Sequence, residues 1–157
     1  MSEILGTLLK VLLAVLGVVA VVVIMYSALS ANKTQTEIAN LTQLASNIQT
    51  TYAGQSSFAG VTNTVVVTGK FAPSSMMSGT NTLTNAWGGS VTVAVGSPTS
   101  QFTITEAGVP SDGCIKLSTS IASPISVTVG GIAVTDVSSA ATNCTGATNS
   151  LVFTFGR

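Results

Sequence analysis

The stretch "VLLAVLGVVAVVVIMYSALSANKTQTEIANLTQLASNIQ", residues 11–49, decides how the chain is read, because it passes from one solvent to another without a break. No residue from Val11 to Asn32 is charged, and Val11 to Leu29 is almost wholly apolar. About 20 such residues cross roughly 30 Å of hydrocarbon as a helix, so this half reads as transmembrane. A secretory signal peptide is the competing reading. Its apolar core is shorter, about 7–15 residues, and ends at a small-residue cleavage site, a role that "SALSA" at 27–31 would fit. The pattern that follows argues against cleavage. Ile38, Leu41, Ala45, Ile48 and Tyr52 recur at helical steps among Asn, Thr, Gln and Ser, which is the stripe of an amphipathic helix. Neither Gly nor Pro falls between Val18 and Ala53. The expectation is one helix from about Ser2 to Ala53, roughly 80 Å long at 1.5 Å per residue, apolar all round at first and then the spine of a C-terminal domain.

Charge is the unusual feature of the composition. Only 6% of the 157 residues are Asp, Glu, Lys or Arg, against about 25% in ordinary globular proteins. With a net charge of zero, such surfaces repel one another weakly, and self-association is the default expectation. Lys10, Lys33, Lys70, Lys116 and Arg157 are scattered and form no basic patch, so direct nucleic-acid binding is not expected. With no His, a single pair of Cys and no carboxylate cluster in the sequence, the common metal sites find no ligands. Phosphate-cradling Gly-rich loops are missing, and Ser and Thr lack the usual general base. No enzyme, no cofactor and no catalytic or metal residue is therefore expected.

From Gly54 to Arg157 the chain reads as β. "TNTVVVTGKF", "GGSVTVAVGS", "SQFTITEAG", "ISVTVGGIAVTDV" and "SLVFTFGR" are short runs rich in Val, Ile, Thr and Phe, divided by Gly, Pro, Ser and Asn. Gly130-Gly131 is a two-residue hairpin signal, since both glycines accept positive φ. Alternation in "ISVTV" and "LVFTF" predicts a sheet with one buried face and one hydroxyl-rich face. Trp87, in "NAWGGSVTV", is read as a core anchor beside a Gly turn.

Cys114 and Cys144 are read as a disulfide in a domain outside the membrane, worth about 3–4 kcal/mol by loop closure. Two unpaired buried thiols in a cytosolic protein are the alternative. Lys10, on the near side of the apolar run, favours a cytoplasmic N-terminus and a periplasmic or extracellular C-terminal domain.

A hydrophobic N-terminal helix that continues as an amphipathic one, then an antiparallel sheet with a late disulfide, resembles the type IV pilins. It is most similar to type IVb pilins of the PilS kind, found in bundle-forming, conjugative and related pili. "FAGVTNTVVVTGKFAPSSMMSGTNTLTNAWGGSVTVAV", residues 58–95, resembles the region after the helix in that group, and Cys114 and Cys144 resemble the ends of its disulfide-bounded region. The resemblance implies an α+β pilin fold: residues 1–53 as the helix, with 1–30 in the membrane or filament core and 31–53 as the spine, and 54–157 as the β domain, with the region 114–144 bounded by the disulfide. It implies a major pilin that polymerises with itself into an adhesive, aggregating or mating-pair-stabilising pilus. Val11, Leu12, Val15, Gly17, Val18 and Val22 would lie in the filament core, while Ile38, Leu41, Ala45, Ile48 and Tyr52 would pack on the sheet.

The implied partners are the inner membrane before assembly, a prepilin peptidase that also methylates the new terminus, the assembly machinery, and a minor pilin or adhesin at the tip. Met1 is read as a processed terminus, with a plain initiator as the alternative. Where the family usually carries Glu at the fifth mature position, this sequence has Leu5, and Glu3 is expected to neutralise its own or an adjacent Met1 amine instead, the alternative being that Glu3 only sits in the headgroup region before assembly. The helix-breaking Pro frequent in the family's apolar segment is also missing, which leaves Gly17 to Val23 as the place for local unwinding in a fibre. A minor pilin or secretion pseudopilin, and a membrane-anchored periplasmic binding domain, are the competing functional readings.

Overall fold

The computed structural model describes residues 2–157, except for the side chains of residues 2, 3, 5 and 27. The chain divides into two units, Met1–Asn32 and Lys33–Arg157. Helix α1, Ser2–Thr51, contributes to both.

In the second unit, α1 buries Thr34, Glu37, Leu41, Leu44, Ala45 and Ile48, a face repeating every three or four residues. Tyr52 continues it just past the helix end. Two details depart from the expected stripe. Leu44 is fully buried, while Ile38 is only partly so. The buried face begins with Thr34, Glu37 and Asn40, and these polar residues hide its true phase from a pattern drawn on apolar residues alone.

The sheet against this face has six strands: β1 (Leu83–Thr84), β2 (Ser90–Val95), β3 (Phe102–Val109), β4 (Ser126–Val129), β5 (Ile132–Ala133) and β6 (Asn149–Phe155). Their order is β1-β2-β3-β6-β4-β5, with every pairing antiparallel. Strand β6 thus lies centrally, with Phe153 opposite Ile104 on one side and Val127 on the other. Period-two alternation turns Val91, Val93, Phe102, Ile104, Val127, Val129, Leu151, Phe153 and Phe155 into the core, leaving Thr103, Thr105, Thr128 and Thr154 on the half-buried face. Rings join this core to the end of α1: Tyr52 to Phe58 at 5.6 Å, Phe58 to Phe102 at 4.8 Å, and Phe102 to Phe155 at 5.4 Å between centroids. Gln49 Nε2 donates to the Gly156 carbonyl at 2.7 Å, fastening the end of β6 to the helix.

The wholly β reading of residues 54–157 requires correction, because three α-helices and a 3-10 turn at Ser74–Met76 share this region with the strands. "TNTVVVTGKF" holds α2 (Asn63–Thr68), not a strand. Thr62 caps it, its hydroxyl accepting from the Val65 N–H at 3.4 Å, and only Val66 of the valine run is buried. The Asn63 side chain donates to Val91 O at 2.9 Å and accepts from Val93 N–H at 2.7 Å, serving the edge of β2 that two-residue β1 leaves uncovered. α3 (Ser111–Ser120) follows β3. The run expected to extend the second arm of the Gly130-Gly131 hairpin yields only two-residue β5 and then α4 (Val137–Asn143). Asp136 and Ser139 form a capping box there, with Ser139 N–H donating to Asp136 Oδ1 at 2.7 Å and Asp136 N–H to Ser139 Oγ at 3.0 Å. The Ser139 hydrogen bonds hold the Asp136 carboxyl below its usual range. The hairpin turn itself forms as expected, with φ of 57° and 85° at the two glycines.

Cys114 in α3 is bonded to Cys144 at the end of α4, their Cα atoms 5.8 Å apart. Trp87 is half-buried against the core, and a Cβ on Gly113 would come within 2.7 Å of its ring, so α3 begins directly beneath the indole.

Candidate assembly surface

Two surfaces bear on function, and the first is the apolar half of α1. Described large apolar side chains from Ile4 to Leu29 are 53–75% exposed within the chain. Val11, Leu12, Val15, Val18 and Val22 are among them, with Val11, Val15, Val18 and Val22 at helical spacing along one face and Leu12 beside it, and nothing stands within 4 Å of where a Gly17 Cβ would be. Mean hydropathy over an 18-residue window reaches 3.0, so the helix is long and apolar enough to cross a membrane. Its backbone is helical without interruption from Gly17 to Val23. Burial of each such side chain is worth about 1.5–3 kcal/mol, so the segment requires lipid or protein on all sides. Depressions along it, such as that between Ile4, Thr7, Leu8 and Val11, are spaces between side chains of two successive helical turns and enclose no ligand site. The expected pairing of Met1 with Glu3 falls on Met1 and on the Glu3 side chain, both outside the described residues.

The second surface is internal, where α1 meets the sheet. Leu41, Ala45, Ile48 and Tyr52 are buried there with Leu44, and Ile38 packs at the margin. Among them lies a feature that the sequence reading missed when it found no carboxylate cluster: Glu37 on α1 and Glu106 on β3 are both wholly buried, and they meet. Glu37 Oε2 accepts from the Ala86 N–H at 2.7 Å. Asn85 Nδ2 lies 3.4 Å from Glu106 Oε2 and donates to Ala107 O at 2.9 Å, while Asn85 Oδ1 accepts from the N–H groups of Trp87 and Gly89 at 3.1 and 2.8 Å. Burial pushes the Glu37 carboxyl up, against the Ala86 N–H and the nearby Glu106 and Asn40 side chains, which act the other way. Burial pushes Glu106 well up, reinforced by the charge and close approach of the Glu37 carboxyl. The missed signal was one of phase. Glu37 stands one helical turn before Leu41 on the buried face, and Glu106 continues the inward alternation of Phe102 and Ile104.

Among the described residues no three His, Cys, Asp or Glu side chains are placed to hold a metal ion. A surface depression between α3 and the start of α4 is lined by Ser118, Thr119 and residues 134–137, and Asp136, its single acid, is committed to the cap of α4. The concentrated chemistry of the molecule is thus an apolar helix surface seeking partners and a domain locked to that helix's continuation.

A long N-terminal helix, apolar in its first half and overlaid by an antiparallel sheet in its second, defines an α+β pilin fold. The chain belongs to the PilS N-terminal family, whose model, described as "PilS N terminal", matches residues 31–156, the spine and the β domain together. No curated protein matches the chain. Membership makes this a pilin-like structural subunit that self-assembles, and the exposed apolar helix fits a membrane-anchored precursor that becomes part of a pilus.

Proposed function

We propose that this chain is the major subunit of a type IVb pilus, held in the inner membrane before assembly and buried in the fibre core afterwards. The observation that carries the reading is the all-round exposure of large apolar side chains from Ile4 to Leu29, beside a domain whose own core is closed. A single-pass anchor is also bathed by lipid on every side, and it is membership of a pilin family that adds the second environment. A subunit that leaves lipid for a fibre needs its apolar surface a second time, against copies of itself. Val11, Leu12, Val15, Gly17, Val18 and Val22 form that contact, and subunits related by a helical operation that does not close propagate an open filament. Ile38, Leu41, Ala45, Ile48 and Tyr52 hold the β domain to the same helix. A prepilin peptidase and an assembly machine act on the subunit, a minor pilin or adhesin occupies the tip, and the filament serves adhesion, aggregation or mating-pair stabilisation.

Electron microscopy of material sheared from producing cells, beside a deletion strain, tests this directly, with the filament band identified by intact mass. Filaments composed mainly of this chain are expected, and the mass reports methylation of the amino terminus. Protein retained in the membrane while its assembly partners are expressed, with no filaments formed, would reject the major-pilin reading in favour of a minor pilin or an anchored binding domain.

A further inference from the structure

The meeting of Glu37 and Glu106 leaves one oxygen unsatisfied on each. Glu37 Oε1 and Glu106 Oε1 are buried and have no hydrogen-bond donor. Two full charges in contact in an apolar interior are very costly, and carboxyl pairs in that situation retain a proton between them. One proton shared by the pair would turn one carboxyl into a donor toward the other and halve the buried charge. A metal ion is a poorer occupant. Hard cations take about six or more oxygens, and the neighbouring amide oxygens are already engaged, Asn40 Oδ1 by the Ser75 hydroxyl at 3.0 Å and Asn85 Oδ1 by two backbone N–H groups.

We propose that Glu37 and Glu106 share one proton at neutral pH and that this proton latches the β-sheet to α1, so that its loss in alkaline solution loosens the domain. The latch joins three pieces distant in sequence: α1 through Glu37, the β1–β2 turn through Asn85 and Ala86, and β3 through Glu106. Among the described residues, the groups that act on the two carboxyls are each other, Asn40, Asn85 and the Ala86 N–H, none of them Lys or Arg. Lys33, one turn before Glu37 on α1, is exposed, and the cross-strand neighbours of Glu106, Val91 and Leu151, carry no charge. The folded pair holds a proton that the unfolded chain releases in the ordinary carboxylate range, near pH 4–5. Stability from the latch is therefore complete below that range and falls as pH rises, by about tenfold in the unfolding equilibrium per pH unit, until the pair itself loses its proton. The inference concerns the single chain and does not depend on the filament reading.

The test uses the full chain in nonionic detergent, unfolded by urea from pH 5 to 9 and followed by the fluorescence of Trp87. The unfolding constant of the wild type is expected to rise with pH, and Glu106→Gln and Glu37→Gln, which keep the shape and remove the second charge, to flatten the dependence. Infrared spectroscopy of the wild type supplies a readout that requires no variant: a protonated carboxyl band persisting at pH 7. Absence of that band, stability independent of pH, or stability lost on treatment with a chelator would each overturn the proposal.

Discussion

Removal of the disulfide by Cys114→Ala with Cys144→Ala should lower the stability of the β domain by about 3.5 kcal/mol. The bond closes a loop with a sequence separation of 30, and the chain-entropy relation gives about that figure at 25 °C for such a length. Both cysteines are buried, so the vacated sulfur positions add a smaller packing loss. Against a total of about 5–15 kcal/mol for a domain, the bond is a substantial fraction of what keeps the fold closed. Urea unfolding of the full chain in detergent is the assay. Trp87 is a local reporter, since its ring covers Gly113, the residue before Cys114. With a slope of about 1.5–2 kcal/mol per molar urea, the midpoint should fall by about 2 M. The slope itself should rise, because an unfolded chain without the cross-link exposes more surface. A midpoint within about 0.5 M of the wild type would refute the loop-closure reasoning and leave α3 and α4 held by their packing alone.

Gly89→Ala should destabilise the domain by about 3 kcal/mol or more in the same assay, because the added Cβ would collide with Ala107 O and crowd the Asn85 amide at 3.0 Å; a neutral result would show that the β1–β2 turn is freely movable. Val15→Asp should leave the urea midpoint of the β domain unchanged, as Val15 lies in the other unit, yet abolish filaments seen by electron microscopy, since a carboxylate in the apolar core finds no partner. Normal filaments from that variant would remove Val15 from the fibre core. Glu3→Ala should reduce filament yield without altering the midpoint, and normal yield would end the charge-neutralising role proposed for Glu3.

The sequence was legible where one physical demand dominates a segment. Solvation in lipid leaves the uncharged run from Val11 to Asn32 few readings, and strict alternation discloses β2, β3 and β6. It was less legible where a side chain overrides propensity. β-branched Val65, Val66 and Val67 argue for a strand, yet the Thr62 cap and the Asn63 bonds to β2 make them helical. Ser139 and Asp136 likewise end the hairpin arm early by capping α4. The central acidic pair was hidden for a different reason. Each Glu alone looks like a surface residue, and only the phase of its element, known once Leu44 and Ile104 are seen to be buried, turns it inward.

The central position of β6 bears on the order in which the subunit folds. Strands β3 and β4 are never neighbours in the sheet; they are joined only through residues 149–155, which leave the ribosome after every other strand. The sheet therefore cannot close before residues 149–155 have been made, and its non-local pairings make closure slow relative to helix formation. The apolar half of α1 is made well before the strand that closes the sheet, so it can meet lipid before the β domain is complete. Closure of the sheet is therefore a late step, and α3, which carries Cys114, and α4, which ends at Cys144, are both made before the strand that completes it.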